Sequence, residues 1–162
     1  MNRQSLALIK PETVLFPPIC WAVIDRILKN GLEVVHARRC QLGVSDAERF
    51  YAEHQKRFFY NRLVRHISGG PSLALLLTGD DAIATWRRLL GPTKVYRTVH
   101  DDSSTLRGCY GLTDTRNVGH GCDGLESFQK EVGYFFPSLP RPTERVTRDQ
   151  LLELVFEGFG CD

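Results

Sequence analysis

No stretch of this sequence approaches the roughly 20 apolar residues that a membrane-spanning helix requires, so no membrane span is expected. Neither common glycine-rich phosphate loop is present, since both G-x-x-x-x-G-K-[ST] and G-x-G-x-x-G are missing. Charge of one sign is also scarce: 21 Lys and Arg stand against 19 Asp and Glu, a net charge of +2. That balance argues against a surface that neutralises many nucleic-acid phosphates, so sequence-specific nucleic-acid binding is not expected and a small anion is the better partner. The five cysteines, Cys20, Cys40, Cys109, Cys122 and Cys161, are odd in number and form no Cys-x-x-Cys pair. They point away from a protein-held metal such as zinc and towards a reducing compartment. The first apolar run ends at Lys10, too early for a secretory leader, and Arg3 is the one basic residue ahead of it. The expectation is a cytoplasmic protein, with a mitochondrial address as the alternative.

At 162 residues, 42% hydrophobic and 25% charged, the chain suits one buried core rather than two. The run 5–9, ended by Lys10-Pro11, predicts a buried central strand. Pro17 and Pro18 open a helical stripe of Ile19, Val23 and Ile27 beside Cys20, Ile24 and Leu28, closed by Asn30-Gly31. A second strand follows over 32–42, then a helix behind a capping box at Ser45-Asp46-Ala47-Glu48. Phe58, Phe59, Leu63, Val64 and Ile67 predict a short helix stopped by Gly69-Gly70-Pro71, and 73–78 a third strand. Asp80 or Asp81 caps a helix through Trp86 to Leu90, ended by Gly91-Pro92. The polar segment 93–105 reads as loop, 107–111 as a fourth strand, and 123–133 as a helix capped by Asp123.

This order, β-α-β-αα-β-α-β-α, predicts an α/β chain of the α+β kind: a split β-α-β arrangement whose antiparallel sheet is covered on one face by helices. Residues 1–137 form the domain and 138–162 a C-terminal extension. In that extension Pro137, Pro140 and Pro142 keep the chain extended, and Thr147-Arg148-Asp149-Gln150 caps a short helix bearing Leu151, Leu154, Val155 and Phe159. The tail is expected to dock on the body or on a neighbour, including a protein partner.

The chemistry concentrates in Thr115-Arg116-Asn117-Val118-Gly119-His120-Gly121-Cys122-Asp123. Asn and Gly around His120 suit a tight, exposed backbone, and the helix start at Asp123 offers amides to an anion. Glu131 lies about two turns into that helix, within reach of one imidazole nitrogen. Such a contact fixes the tautomer and leaves the other nitrogen free to attack. Lys10, Arg57, Arg87, Arg88, Arg107 and Arg116 sit near turn or helix ends, where guanidinium groups suit polyphosphate oxygens.

Taken in order, Leu8-Ile9-Lys10-Pro11, Arg57 to Val64, Gly69-Gly70-Pro71, Arg87 to Thr93, Leu106-Arg107-Gly108 and the histidine segment resemble the nucleoside diphosphate kinase family over most of the chain. Phe58-Phe59-Tyr60 and the stretch from Gly111 to Asn117 are most similar to its divergent, type-six branch. The resemblance implies a ferredoxin-like sheet and a kinase that passes the γ-phosphate of a nucleoside triphosphate such as ATP to a nucleoside diphosphate by a ping-pong route. It implies His120 as phosphorylated nucleophile, Glu131 as its orienting carboxylate and Tyr51 as a hydrogen-bonding partner beside it. Lys10 would meet the ribose and phosphates, Phe59 and Leu63 bracket the base, Arg87, Thr93 and Arg107 hold phosphate oxygens, and Asn117 takes the ribose hydroxyl. Mg2+ would come bound to the nucleotide, with no metal site in the protein. A base held mainly by stacking gains about 1–3 kcal/mol from a face every base has, so broad nucleotide tolerance is expected.

The chain departs from the family at Cys122, where serine is usual, at Gly119, which is expected to loosen the histidine loop, and at Phe58, often proline. The loop 92–106 is longer than in the hexameric branch, so a homo-oligomer is expected without commitment to a hexamer. A thiol near a helix start is also a candidate reactive group. The alternative function is a catalytically weak nucleotide-binding interaction protein on the same fold.

Overall fold

The computed structural model describes residues 3–138 and 145–159. Strand β1 (Gln4–Ile9) leads through α1 (Pro11–Val14) and α2 (Pro17–Lys29) to β2 (Glu33–Cys40). Then come α3 (Val44–Phe50), a 3-10 turn (Ala52–His54), α4 (Tyr60–Ser68), β3 (Ser72–Thr78) and α5 (Ala82–Leu90). The remainder is α6 (Val95–Asp101), α7 (Leu106–Tyr110), β4 (Gly119–Gly121), α8 (Leu125–Phe135) and α9 (Arg148–Phe156). The strands lie in the order β2-β3-β1-β4, every pair antiparallel, which is the ferredoxin-like arrangement.

The two central strands are apolar without interruption, and alternation sends their side chains to both faces. Ala7, Ile9, Leu73, Leu75 and Leu77 join the cluster under α2, α5 and α9. Leu6, Leu8, Ala74 and Leu76 join the cluster under α3, α4 and α8. Helices therefore cover both faces, not the one expected. A strand apolar on both sides would otherwise leave half its surface in water, at about 25 cal/mol per Å2.

The strands over 5–9, 32–42 and 73–78 and the helices from Pro17, near Tyr60 and from Ala82 stand where sequence pattern put them, with bounds shifted by a residue or two. Gly31, at φ +80, follows the C-cap of α2. Three expectations fail. Segment 93–105 contains a helix, α6, whose Thr98 hydroxyl donates to the carbonyls of Pro92 and Lys94 at 3.0 Å, so polar residues there serve the backbone. Segment 107–111 is helix α7 and not a strand, capped by Thr105, whose hydroxyl accepts from the Gly108 amide at 3.1 Å. Helix α3 begins at Val44 behind Gly43, so Ser45 lies inside the first turn and caps nothing. Asp81 does occupy the N-cap of α5, but in the left-handed region and with no capping side-chain bond.

The capping box at Thr147 forms, with the Gln150 amide donating to Thr147 Oγ1 at 3.2 Å and the Thr147 amide to Gln150 Oε1 at 2.9 Å. Helix α9 docks on the body. Leu151 and Val155 are fully buried against α2 and β2, the Val146 amide donates to the Val34 carbonyl at 2.9 Å, and the Arg148 guanidinium lies 4.7 Å from the Trp21 ring centroid. Pro140, Pro142 and Cys161 lie outside the described residues.

Because Leu151 has no exposed surface, Leu151→Ala should cost about 2–5 kcal/mol, read as a lowered urea midpoint with unchanged slope. A loss below about 0.5 kcal/mol would show that α9 does not share the body's core.

Candidate active site

His120 sits in the middle of β4, opposite Leu8 of β1. The exposed loop expected there is a short strand, because pairing with β1 straightens a Gly-His-Gly segment that has little strand preference of its own. Trp86 of α5, fully buried, lies beneath it and donates its indole N–H to the His120 carbonyl at 3.0 Å. Gly121 makes that approach feasible, since a Cβ there would come within 2.7 Å of the Trp86 ring. Gly119 is as confined, with a Cβ meeting the Leu8 carbonyl at 2.9 Å, so a side chain there would require the strand to shift.

Glu131 of α8 is buried and its Oε2 lies 2.9 Å from His120 Nε2. With the carboxylate accepting from Nε2–H, the lone pair falls on Nδ1. The Phe50 ring edge, centroids 5.0 Å apart, packs the imidazole from one side. Tyr51 also meets it edge-on, at 6.5 Å and 89°; the expected hydrogen bond between them is not formed. Burial, with Glu12 and Glu131 nearby, pushes the Tyr51 hydroxyl pKa up and keeps it neutral.

A cleft of about 780 Å3 opens over His120 and Glu131, lined also by Arg87, Thr93 and Arg107. Sequence reasoning missed Glu53 and His54 on its rim and placed Arg88 and Asp123 near it without assigning them to it. A larger cleft, about 1280 Å3 between α4, α6 and the 111–116 segment, contains neither His120 nor the cations around it, so chemistry and not size selects the site.

Arg107 is buried, and three of the five N–H groups a guanidinium carries are engaged. Nε donates to the Asn117 carbonyl at 3.0 Å, and the terminal nitrogens to Gly91 at 2.7 Å and Gly119 at 2.8 Å. It thus knits the cleft wall together and keeps two N–H groups for an anion. Burial first, and the Arg87 charge second, lower its pKa to about 10. Lys10 is likewise buried, and burial followed by the Arg107 charge lowers it to about 8. Arg87 and Arg107 on the cleft wall, with Lys10 buried behind it, are the electrostatic complement of a polyphosphate.

Other expected site residues are committed elsewhere. Lys10 Nζ donates to Asn117 Oδ1 at 2.7 Å and to the Thr115 carbonyl at 3.1 Å, while the Asn117 amide donates to the Asp114 carbonyl at 3.0 Å. Leu63 is buried in the apolar cluster beneath α4, and Phe59 packs against it, 5.5 Å from the His54 ring. None of these four lines the cleft over His120. The start of α8 offers less to an anion than expected, because Ser127 Oγ already accepts from the amides of Asp123 and Gly124 at 3.1 Å. Gly124, not Asp123, holds the cap position. Ser127 Oγ in turn donates to Asp123 Oδ1 at 2.6 Å, the main reason the Asp123 carboxyl lies below its ordinary range. The Cys122 thiol is buried 3.8 Å from the Ser5 hydroxyl, and burial pushes its pKa up. It is no reactive thiolate.

The nucleoside diphosphate kinase family model matches residues 3–140. The chain is 47% identical over 135 residues to nucleoside diphosphate kinase 6 of Xenopus tropicalis, spanning 83% of this chain and 75% of that one. Among solved structures, the nucleoside diphosphate kinase of Aquifex aeolicus superposes with a TM-score of 0.77 at 28% identity, covering 83% of this chain and 94% of its own. The halophilic nucleoside diphosphate kinase of Halobacterium salinarum, in complex with CDP, does so with 0.77 at 26%, covering 85% and 90%.

The buried Lys10 has a pH signature. Its folded pKa of about 8 lies below the ordinary 10.5, so between those values the unfolded chain holds a proton that the folded chain has released. Stability should therefore rise with pH across that window relative to a Lys10→Met variant, by up to ~3 kcal/mol. Urea unfolding of both proteins at pH 7.5 and 10.5 measures it, and a constant difference would contradict the burial of a titrating Lys10.

Proposed function

The chain belongs to the nucleoside diphosphate kinase family and matches its type-six branch, and on that premise we propose that it moves the terminal phosphoryl group of a nucleoside triphosphate to a nucleoside diphosphate through His120. The observation that carries this reading is the 2.9 Å His120–Glu131 bond inside a cleft lined by Arg87 and Arg107. One ring nitrogen is thereby anchored and the other supplied with a lone pair in a cation-rich space.

In the first half-reaction neutral His120 Nδ1 forms a bond to the γ-phosphorus as the bond to the β,γ-bridging oxygen breaks, and the nucleoside diphosphate leaves. Nε2 keeps its proton, and Glu131 stabilises the positive charge that spreads over the ring. Arg87 and the two remaining N–H groups of Arg107 meet the phosphoryl oxygens, and Thr93 offers a hydroxyl from the same rim. In the second half a different diphosphate attacks the phosphohistidine and the steps reverse, one site serving both. Magnesium would enter on the nucleotide and neutralise phosphate charge. The Glu53 and Asp123 carboxylates stand on the cleft rim.

Lys10 and Asn117 carry the ribose end of the proposal, and Phe59 and Leu63 the base. Engaging the ribose requires the 2.7 Å Lys10–Asn117 bond to open or to be shared. That one feature favours the alternative reading, a nucleotide-binding interaction protein that turns over slowly. Self-association is part of the proposal, since Phe58, Leu112 and Tyr96 expose 87%, 67% and 59% of their surface around the larger cleft. So is a reducing compartment, the cytoplasm first, consistent with free Cys20, Cys40, Cys109 and Cys122.

Incubation with γ-labelled ATP should yield an acid-labile phosphoprotein that His120→Ala cannot form, and label should pass to UDP and GDP alike. Glu131→Gln should slow labelling by about tenfold to a hundredfold through misorientation of the ring. Retained label in His120→Ala would refute the assignment, and nucleotide binding without transfer would favour the alternative.

A further inference from the structure

Val118, two residues before His120, has φ +79. A β-branched residue rarely adopts that region, at a cost on the order of 1–3 kcal/mol, and it persists only where its surroundings enforce it. The Gly119 amide donates to the Asn117 carbonyl at 3.0 Å, closing a three-residue turn about Val118. The enforcement is visible at each polar group of the turn. The Val118 carbonyl accepts from the Lys10 amide at 2.9 Å, and Arg107 grips the carbonyls of Asn117 and Gly119. The remaining donor, the Val118 amide, goes to a side chain: it donates to Glu12 Oε1 at 2.9 Å.

Glu12 stands in α1, directly after Lys10-Pro11, and is itself held. Its Oε2 lies 2.6 Å from His66 Nε2 on α4, with both side chains largely buried. Burial works against the charged carboxyl. The hydrogen bonds from His66 and from the Val118 amide, with the charges of His66 and Lys10, outweigh it and hold the group below its ordinary range. Removing Glu12 leaves the Val118 amide unpaired inside the protein and frees φ to relax. Such relaxation rotates the peptide planes on both sides and shifts His120 against Glu131 and the cleft cations.

We propose that Glu12 is a positioning residue for the phosphoryl-accepting histidine, its carboxylate holding the strained 117–119 turn while His66 of α4 holds the carboxylate. The proposal rests on the phosphotransfer reading for its consequence and on the turn geometry for its cause. The His66–Glu12 hydrogen bond also links α4 to the segment that leads into the strand carrying His120.

The test compares Glu12→Ala, Glu12→Gln and the double variant Glu12→Ala/Val118→Gly. Glu12→Ala should slow phosphorylation of His120 by about tenfold to a hundredfold, the scale of a misplacement near 1 Å, while nucleotide affinity changes by less than about threefold. Glu12→Gln should stay within about threefold of wild type, because its amide oxygen can still accept from Val118 and its NH2 can donate to a neutral His66. Glycine adopts φ +79 without strain, so the double variant should recover much of the rate although it loses core packing. A residue that merely supports the fold would leave the double variant slower than Glu12→Ala, because Val118→Gly removes a buried side chain. Equal rates in wild type and Glu12→Ala, or Glu12→Gln as slow as Glu12→Ala, would overturn the proposal. Should wild type itself take up no phosphoryl group, the functional reading fails. Amide exchange at Val118 and the His120 ring NMR signals then decide. Displacement in Glu12→Ala with restoration in Glu12→Gln upholds the positioning role, and no displacement overturns it.

Discussion

The hydrogen bond between His120 Nε2 and Glu131 Oε2 is the contact on which the account depends, and it is a product of tertiary structure. The histidine comes from a strand of three residues that exists only because β1 pairs with it, and the glutamate from helix α8, which packs on β1 as well. Trp86 below and Phe50 beside it remove the freedom the imidazole would have in a loop. Precise placement is therefore a by-product of core packing, the condition under which a weakly basic ring becomes a useful nucleophile.

The cations follow the same logic. Lys10 and Arg107 are largely buried, and burial together with a neighbouring cation, Arg107 beside Lys10 and Arg87 beside Arg107, lowers both pKa values, an arrangement that would be unfavourable were nothing to neutralise it. Backbone carbonyls of Gly91, Thr115, Asn117 and Gly119 and the Asn117 side chain offset part of the cost, and an entering polyphosphate would offset the rest. Two tasks share the same side chains. Arg107 holds the wall in shape and presents its spare N–H groups, and Lys10 stands where its own backbone amide also pins the strained turn at Val118.

Much of this was legible in the sequence, for identifiable reasons. The runs at 5–9 and 73–78, the Pro17 start, the Asn30-Gly31 stop and the Thr147 capping box are local signals, and each produced its element. His120, Glu131, Arg87, Thr93 and Arg107 were legible through a motif, and the fold brings these five to one cleft. What failed was decided at a distance. Helices α6 and α7 look polar because their hydroxyls bond backbone carbonyls and amides, so hydropathy understates them. Strand β4 has no strand-like composition and is defined by its partner. The Glu12–His66–Val118 link joins residues far apart in the chain and has no local pattern at all.

The reactivity of His120 turns on which ring nitrogen is free. With Nε2 committed to Glu131, a phosphoryl group can enter only at Nδ1. Heteronuclear NMR of the 15N-histidine-labelled protein, after phosphorylation by a nucleoside triphosphate, identifies the substituted nitrogen through its coupling to phosphorus. A single phosphohistidine at Nδ1 of His120 is the predicted result; substitution at Nε2, or on any other residue, would contradict the account.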